Sequence, residues 1–235
     1  IDLSNSLVKS GNFKKKTDLP DFFELYNKKI LILGFGRIGQ ELAKRCLGFD
    51  MQVYAHDPYI SEQLFARHNV KQCHSLKELA QKVDILSLHV PLNEETTNLV
   101  DHSILSQMKQ GSYLINTSRG GVAEELGVIE ALSTGQLAGA AIDTWVNEPK
   151  VNKSLATHER VWCSPHIGAS SLEAQQAIGD TVKEQVEKAV EGMVVDYPIN
   201  LPKLGVVESP IIKPYSVLAE KLGSLAAQLL SFNPS

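Results

Sequence analysis

The sequence predicts an α/β fold built on a doubly wound parallel sheet, and three observations support this prediction. Short apolar runs alternate with segments of helical periodicity from residue 30 to about residue 191. A glycine-rich turn joins the first apolar run to the first helical segment. The chain has 235 residues, of which 43% are hydrophobic, so it can bury a core large enough for such a sheet.

The elements follow one another in the order that βαβ units require. Strands are predicted at residues 30–33, 51–55, 84–89, 112–116, 139–143 and 161–163. Helices are predicted between them at 40–47, 75–82, 101–108 and 124–133, and Ser75 with Glu78 forms a capping box. In such sheets, ligands bind outside the carboxyl ends of the strands.

A longer helix, from Ser171 to about Glu191, is predicted after the last strand, with Ser170 and Glu173 as its capping box. Beyond Gly192 the alternation of apolar runs and helical segments ends, and the chain becomes rich in proline. Residues 196–214 hold four of the ten prolines and are predicted to form an irregular connector. A last amphipathic helix is predicted at 215–230, so we expect an irregular C-terminal extension to the sheet domain.

The first apolar run ends in the pattern G-x-G-x-x-G, at Gly34, Gly36 and Gly39. Glycines at this spacing allow a tight turn, a close approach of a pyrophosphate, and close packing of the following helix. Asp57 ends the second run about 20 residues later, where an acid bonds ribose hydroxyls and repels a 2′-phosphate. The pattern predicts a Rossmann-type fold that binds NAD, with a purely structural glycine turn as the alternative.

Composition and charge argue against several classes of partner. The formal net charge is −4 and Lys and Arg are dispersed, so binding to nucleic acid or an anionic membrane is not expected. No apolar stretch approaches the roughly 20 residues of a membrane span, and no signal peptide is visible. Cys46, Cys73 and Cys163 form no C-x-x-C pair, so we expect reduced thiols, a cytoplasmic protein and no metal site.

Three polar residues at predicted strand ends could carry chemistry. His166 follows a proline after the last strand and could shuttle a proton near neutral pH. Glu148 lies in the turn after the preceding strand and could orient that imidazole and raise its pKa. Arg119 follows a strand directly and could hold a substrate carboxylate by two hydrogen bonds. Taken singly, each could instead be a structural loop residue or a helix cap.

Six segments together resemble the D-isomer-specific 2-hydroxyacid dehydrogenases in their order and spacing. They are residues 34–39, 89–92, 115–121, 139–143, 147–149 and 165–170. The resemblance implies NAD as the cofactor and a small 2-hydroxy acid as the substrate. It also implies that Arg119, Glu148 and His166 form the catalytic set, with His166 as proton shuttle and Arg119 as carboxylate anchor.

The resemblance further implies a set of cofactor contacts. Arg37 and Ile38 would cover the pyrophosphate, Asp57 would hold the adenosine ribose, and Asp143 would meet the nicotinamide carboxamide. The other residues expected at the cofactor are Gly34, Gly36, Gly39, His89, Val90, Pro91, Thr96, Thr117, Ser118, Arg119, His166, Gly168 and Ala169.

The same resemblance divides the chain into three parts. Residues 1–18 are expected to form a helix entering from a substrate lobe, 19–195 the NAD-binding domain, and 196–235 a connector and the start of a regulatory region. Such a chain would be a piece of a longer protein, without most of the substrate lobe and inactive alone. The family's habit of pairing through the cofactor domain implies a homo-oligomer, either a dimer or a tetramer.

The C-terminal tail, at residues 197–202 and 214–223, resembles that of the long-form members of the family. This implies 3-phospho-D-glycerate as the substrate, oxidised to 3-phosphooxypyruvate at the entry to serine synthesis. Two alternatives stay open. One is another D-2-hydroxyacid dehydrogenase, such as a glyoxylate or hydroxypyruvate reductase. The other is a non-catalytic, NAD-sensing protein like the transcriptional co-repressors that share this fold.

Overall fold

A computed structural model describes residues 2–12, 23–191, 193, 195–197 and 209–231. By the density of its internal contacts the chain divides into two units, Ile1–Gly168 and Ala169–Ser235. The first unit contains the sheet, and the described part of the second consists mainly of two helices. Each unit is described below by itself.

The described part of the first unit contains seven parallel strands in one sheet, in the order β3-β2-β1-β4-β5-β6-β7. The strands are β1 (Lys29–Leu33), β2 (Gln52–His56), β3 (Lys71–Gln72), β4 (Ile85–Leu88), β5 (Ser112–Asn116), β6 (Leu137–Ile142) and β7 (Val161–Cys163). The order of strand addition reverses between β1 and β4, which opens a crevice at their carboxyl ends. The predicted doubly wound parallel sheet is confirmed.

Helices connect these strands and precede them. They are α1 (Asp2–Lys9), α2 (Arg37–Gly48), α3 (Glu62–Arg67), α4 (Leu76–Ala80), α5 (His102–Gln107), α6 (Glu125–Ser133) and α7 (Lys153–Ala156). Side-chain caps fix several helix starts: Ser75 accepts from the N–H of Glu78 at 3.3 Å, and Asp101 accepts from the N–H of Ile104 at 2.9 Å.

Two hydrophobic clusters cover the two faces of the sheet. Along β1, Ile30 and Ile32 belong to one cluster, whereas Leu31 and Leu33 belong to the other. Because successive side chains of a strand point to opposite faces, β1 is buried on both sides. On one face, α3 contributes Phe65, which stacks on Phe35 with ring centroids 4.8 Å apart. The core therefore fixes the glycine-rich turn that follows β1.

The second unit contains α8 (Leu172–Val190) and α9 (Ser209–Ser231). No described side chain of α8 is buried, and its apolar residues Ile178 and Val182, one helical turn apart, are about half exposed. Asp196, which follows α8 in the sequence, contacts the last turns of that helix. It accepts hydrogen bonds from Lys188 Nζ at 2.5 Å and Gln185 Nε2 at 2.9 Å. The hydrogen bond from Lys188 lowers the pKa of Asp196 below its usual value.

Two local predictions in this unit are wrong. The cap of α8 is Ser171, whose Oγ accepts from the N–H of Ala174 at 3.1 Å, and not Ser170. The helix α9 begins at Ser209, so the end of the predicted irregular connector is helical. Pro210 lies in the first turn of α9, where a missing N–H costs little. Residues 198–208 of that connector, and 13–18 of the expected entry helix, lie outside the described residues.

None of the helices in the described ranges combines the length and the apolar character needed to cross a lipid bilayer.

Candidate active site

The glycine-rich turn between β1 and α2 contains two glycines whose replacement would displace backbone. Gly34 has a φ of +94°, and a Cβ there would lie 2.5 Å from the carbonyl oxygen of His89. A Cβ on Gly39 would overlap the carbonyl oxygen of Gly34. Gly36 differs, because no atom lies within 4 Å of its Cβ position. The turn is therefore packed tightly against the sheet and open above Gly36.

The helix α2 begins at this open position. Its N-cap is Gly36, which supplies no side-chain cap, and its first turn contains no acidic residue. The N–H groups of a helix's first turn have no intrahelical acceptor, and the helix dipole favours an anion beside them. Arg37 and Ile38 are exposed there. The free volume and the backbone donors fit the pyrophosphate of NAD.

Asp57 joins the end of β2 to the glycine-rich turn. Its Oδ2 accepts from the N–H of Phe35 at 2.8 Å, and its Oδ1 accepts from the N–H of Tyr59 at 3.0 Å. A cavity of about 280 Å³ opens beside it. The predicted cofactor residues that line this cavity are Gly34, Gly36, Asp57, His89, Val90, Pro91 and Thr96. We call it the nucleotide cavity.

One wall of the nucleotide cavity follows β4 and is held by its own hydrogen bonds. His89 Nε2 lies 2.8 Å from Ser87 Oγ, and burial lowers the pKa of His89 to about 4, so its ring is neutral at pH 7. Thr96 Oγ1 donates to the carbonyl oxygen of Pro91 at 2.6 Å and accepts from the N–H of Asn93 at 2.9 Å. The wall therefore keeps its shape through contacts within the chain.

Asn116 ends β5 and shapes the turn that carries Arg119. Its Oδ1 accepts from Ser118 N–H at 3.1 Å and Ser118 Oγ at 2.9 Å, while its Nδ2 donates to the carbonyl oxygen of Arg119 at 3.0 Å. Arg119 is exposed, and its Nη1 donates to the carbonyl oxygen of Ser118 at 2.7 Å. A Cβ on Gly120 would overlap the backbone of Trp145, so this turn packs directly against the loop after β6.

Glu148 and His166 form a hydrogen-bonded pair between the loops after β6 and β7. Glu148 Oε2 lies 2.8 Å from His166 Nδ1, and Glu148 Oε1 accepts from the N–H of Trp145 at 2.9 Å. The hydrogen bond from His166, and then that from Trp145, lower the pKa of Glu148. The side chain of His166 is 46% exposed. Because its Nδ1 faces Glu148, its Nε2 is the ring nitrogen that can exchange a proton with a bound molecule.

Asp143 holds the backbone on both sides of His166. Its Oδ1 accepts from Ser164 Oγ at 2.5 Å and Ile167 N–H at 2.9 Å, and its Oδ2 accepts from Gly168 N–H at 2.9 Å. The N–H of His166 donates to the carbonyl oxygen of Asp143 at 2.8 Å. Burial raises the pKa of Asp143, but the hydrogen bonds from these three donors outweigh it and lower the pKa. An ionised carboxylate therefore fixes the loop that carries His166.

The predicted site residues fall into two groups at the carboxyl ends of the strands. Most of those after β1, β2 and β4 line the nucleotide cavity, but Arg37, Ile38 and Gly39 do not. After β6 and β7, Asp143 and Gly168 lie beside the Glu148–His166 pair. Thr117 is exposed in the turn after β5. Ala169 belongs to the second unit, where its carbonyl oxygen accepts from Gln175 Nε2 at 2.9 Å.

Sequence reasoning missed how the two loops of the second group are joined. Trp145 is buried, its N–H donates to Glu148, and its Nε1 donates to the carbonyl oxygen of Ser164 at 3.1 Å. Ser164 in turn donates to Asp143. Nothing local in the sequence marks these residues, because both hydrogen bonds of Ser164 join segments about 20 positions apart.

Comparison with known protein families and with individual proteins points to the same group of dehydrogenases. Residues 1–168 match the family of the D-isomer specific 2-hydroxyacid dehydrogenases, NAD binding domain. The chain is 39% identical over 230 residues to D-3-phosphoglycerate dehydrogenase of Bacillus subtilis, covering 98% of this chain and 43% of that protein. To D-3-phosphoglycerate dehydrogenase of Methanocaldococcus jannaschii it is 36% identical over 207 residues, covering 88% of this chain and 40% of that protein.

Among solved structures, D-lactate dehydrogenase from Aquifex aeolicus, complexed with NAD and lactic acid, is similar with a TM-score of 0.70 and 29% identity. The similarity covers 80% of this chain and 60% of that one. The chain spans about two-fifths of the length of the curated relatives it matches. The matched residues, the strand order and the open glycine-rich turn together place the chain in the D-isomer-specific 2-hydroxyacid dehydrogenase family, and they identify NAD as its cofactor.

Proposed function

We propose that the chain is the cofactor-binding part of an enzyme that oxidises 3-phospho-D-glycerate to 3-phosphooxypyruvate. The observation that carries this proposal is the Glu148–His166 pair, held at 2.8 Å at the carboxyl edge of the same sheet that bears the nucleotide cavity. An acid–base pair beside a nicotinamide cofactor is what the oxidation of a secondary alcohol requires.

In the proposed reaction, His166 Nε2 accepts the proton of the C2 hydroxyl group. When bound, NAD⁺ would supply the hydride acceptor: the C2–H bond would break, its electron pair would leave the substrate with the hydrogen, and the C2 carbonyl would form. Glu148 stabilises the imidazolium that results, because its carboxylate lies against Nδ1. In the reductive direction, the protonated His166 returns the proton to the developing alkoxide.

Arg119 is proposed to hold the substrate carboxylate. Its side chain is exposed on a turn that Asn116 fixes by three hydrogen bonds, so the guanidinium starts from a defined backbone position. A guanidinium can bind a carboxylate with two parallel hydrogen bonds, and it also polarises a neighbouring carbonyl. This would orient C2 toward the cofactor.

The substrate assignment is supported by the relatives named D-3-phosphoglycerate dehydrogenase, at 36–39% identity. The proposed test measures NADH formation by the whole protein with 3-phospho-D-glycerate, unphosphorylated D-glycerate, glycolate and D-lactate. We expect turnover with the phosphorylated acid to exceed that with the others by at least about 100-fold, since losing a bound phosphate removes several kcal/mol of binding energy. Faster turnover of an unphosphorylated acid would contradict the substrate assignment.

The roles of the side chains need a second experiment in the same protein. His166→Ala is expected to lower kcat by about 10² to 10⁴-fold while NADH affinity stays within about twofold. His74→Ala is the matched control, because His74 is exposed and lies after β3, away from this pair. Equal activity in the His166 and His74 variants would remove the proposed mechanism without affecting the family assignment.

A further inference from the structure

The nucleotide cavity is bridged on its exposed side by two residues that come from different segments. Tyr59, in the turn after β2, donates its phenolic hydrogen to Glu95 Oε2, in the loop after β4. Both side chains line the cavity, and Tyr59 is 77% exposed. We propose that this bridge is a gate at the adenosine end of the NAD site, and that Glu95 is a second determinant of NAD over NADP selectivity beside Asp57.

The charges around the cavity support a role for Glu95. The residues that line it include two carboxylates, Asp57 and Glu95, and no Lys or Arg. Two histidines also line it: His89 is half-buried and neutral at pH 7, and His56 Nδ1 lies 2.8 Å from the carbonyl oxygen of Cys73. A 2′-phosphate carries between about one and a half and two negative charges at this pH. It would therefore meet repulsion from two carboxylates, with no Lys or Arg among the lining residues to balance it.

Asp57 supplies only part of the negative charge that a 2′-phosphate would meet. Both of its carboxylate oxygens already accept hydrogen bonds, one from the N–H of Phe35 at 2.8 Å and one from the N–H of Tyr59 at 3.0 Å. The second bond fixes the backbone of the residue whose phenol reaches Glu95. Asp57, Tyr59 and Glu95 thus form one connected unit across the cavity, and replacing Asp57 leaves one carboxylate of that unit in place.

The loop that carries Glu95 is held by its own hydrogen bonds. Thr96 Oγ1 donates to the carbonyl oxygen of Pro91 and accepts from the N–H of Asn93. Thr97 Oγ1 donates to the carbonyl oxygen of Asn93 at 2.7 Å. The loop therefore keeps the backbone of Glu95 beside the cavity, and the hydrogen bond from Tyr59 holds its carboxylate there. Glu94, the preceding residue, is exposed, and it does not line the cavity.

The test is calorimetric titration of the chain with NADH and NADPH at low and high salt. We expect Glu95→Gln to leave NADH affinity within about threefold and to reduce the preference over NADPH by about tenfold, or 1.4 kcal/mol. Glu94→Gln is the matched control, since it makes the same charge change on the neighbouring residue, and we expect it to alter the preference less than twofold. Raising the salt concentration should shrink the effect of Glu95→Gln, because exposed charges are screened.

Two further variants separate the charge from the gate. Asp57→Ser with Glu95→Gln should lower the preference for NADH further than Asp57→Ser alone. Tyr59→Phe, which removes only the bridging hydroxyl, should speed both binding and release of NADH in stopped-flow measurements. If Glu95→Gln and Glu94→Gln change the NADH to NADPH ratio equally, Glu95 has no selective role. If Tyr59→Phe leaves both rates unchanged, the bridge is not a gate.

Discussion

Replacing Gly34 and Gly36 separately by alanine should distinguish the two roles that glycine has in the turn after β1. At Gly34 the backbone has a φ of +94°, and the added Cβ would lie 2.5 Å from a carbonyl oxygen. At Gly36 the φ is −70°, and the added Cβ would meet no atom within 4 Å. The first substitution acts on the fold, whereas the second acts on the space that the pyrophosphate of NAD needs.

The expected magnitudes follow from these two environments. Left-handed backbone costs a residue with a Cβ about 1–2 kcal/mol, and forcing an atom into a packed site costs about 1–3 kcal/mol. Gly34→Ala should therefore lower the free energy of unfolding by about 2–5 kcal/mol. Gly36→Ala changes only an N-cap, which costs less than about 1 kcal/mol. It should nevertheless weaken NADH binding at least about tenfold, because the new methyl group occupies the open position above the turn.

Urea unfolding followed by tryptophan fluorescence measures the first quantity. Both tryptophans, Trp145 and Trp162, lie in the first unit, so the signal reports on the unit that contains the turn. Calorimetric titration with NADH measures the second quantity. The reasoning is refuted if Gly36→Ala loses as much stability as Gly34→Ala, or if it binds NADH as tightly as the unchanged chain.

Three other predictions concern the core and the loops. The pKa of His89 is about 4 in the folded state and about 6.5 in the unfolded state, so the unfolded chain binds the proton first as the pH falls. Stability should thus decrease between pH 6.5 and pH 4 by at most about 3 kcal/mol, and urea unfolding of His89→Gln should show a flatter dependence. Phe65→Ala, at a side chain that is 1% exposed, should lower the free energy of unfolding by about 3–5 kcal/mol in the same measurement. In the whole protein, Ser164→Ala should lower kcat about tenfold with unchanged NADH affinity, because it removes one hydrogen bond to the Asp143 carboxylate that holds the His166 loop. Steady-state kinetics measures this effect, and Ser164→Thr, which keeps the hydroxyl group, should recover kcat.

The regular part of the sheet could be predicted because its strands are marked locally. The strands at Ser112–Asn116 and Val161–Cys163 have the predicted bounds, since apolar runs there end at polar or turn-forming residues. The helix Glu62–Arg67, the two-residue strand Lys71–Gln72 and the helix Lys153–Ala156 were not predicted. Elements this short contain too few residues to show a period, and contacts with the rest of the fold decide them.

The residues of the candidate site also include some that the sequence could predict and some that it could not. The glycines, Asp57 and the Glu148–His166 pair lie on or beside strands, so their order along the chain already indicates where they meet. The roles of Trp145, Ser164 and Glu95 could not be predicted, because each depends on a hydrogen bond between loops distant in sequence. Loop conformation, which no periodic pattern encodes, determines those contacts.

His166 has a left-handed backbone, with a φ of +55°, so stability and the activity proposed for this residue favour different side chains. Histidine tolerates this conformation better than most residues, but glycine and asparagine adopt it with less strain. A selection for heat resistance alone would therefore favour glycine or asparagine at residue 166, and a selection for turnover would restore the imidazole. The stability of the fold and the presence of its proposed proton carrier make opposite demands on this residue, so a thermally improved variant of this chain needs an explicit check that residue 166 has stayed histidine.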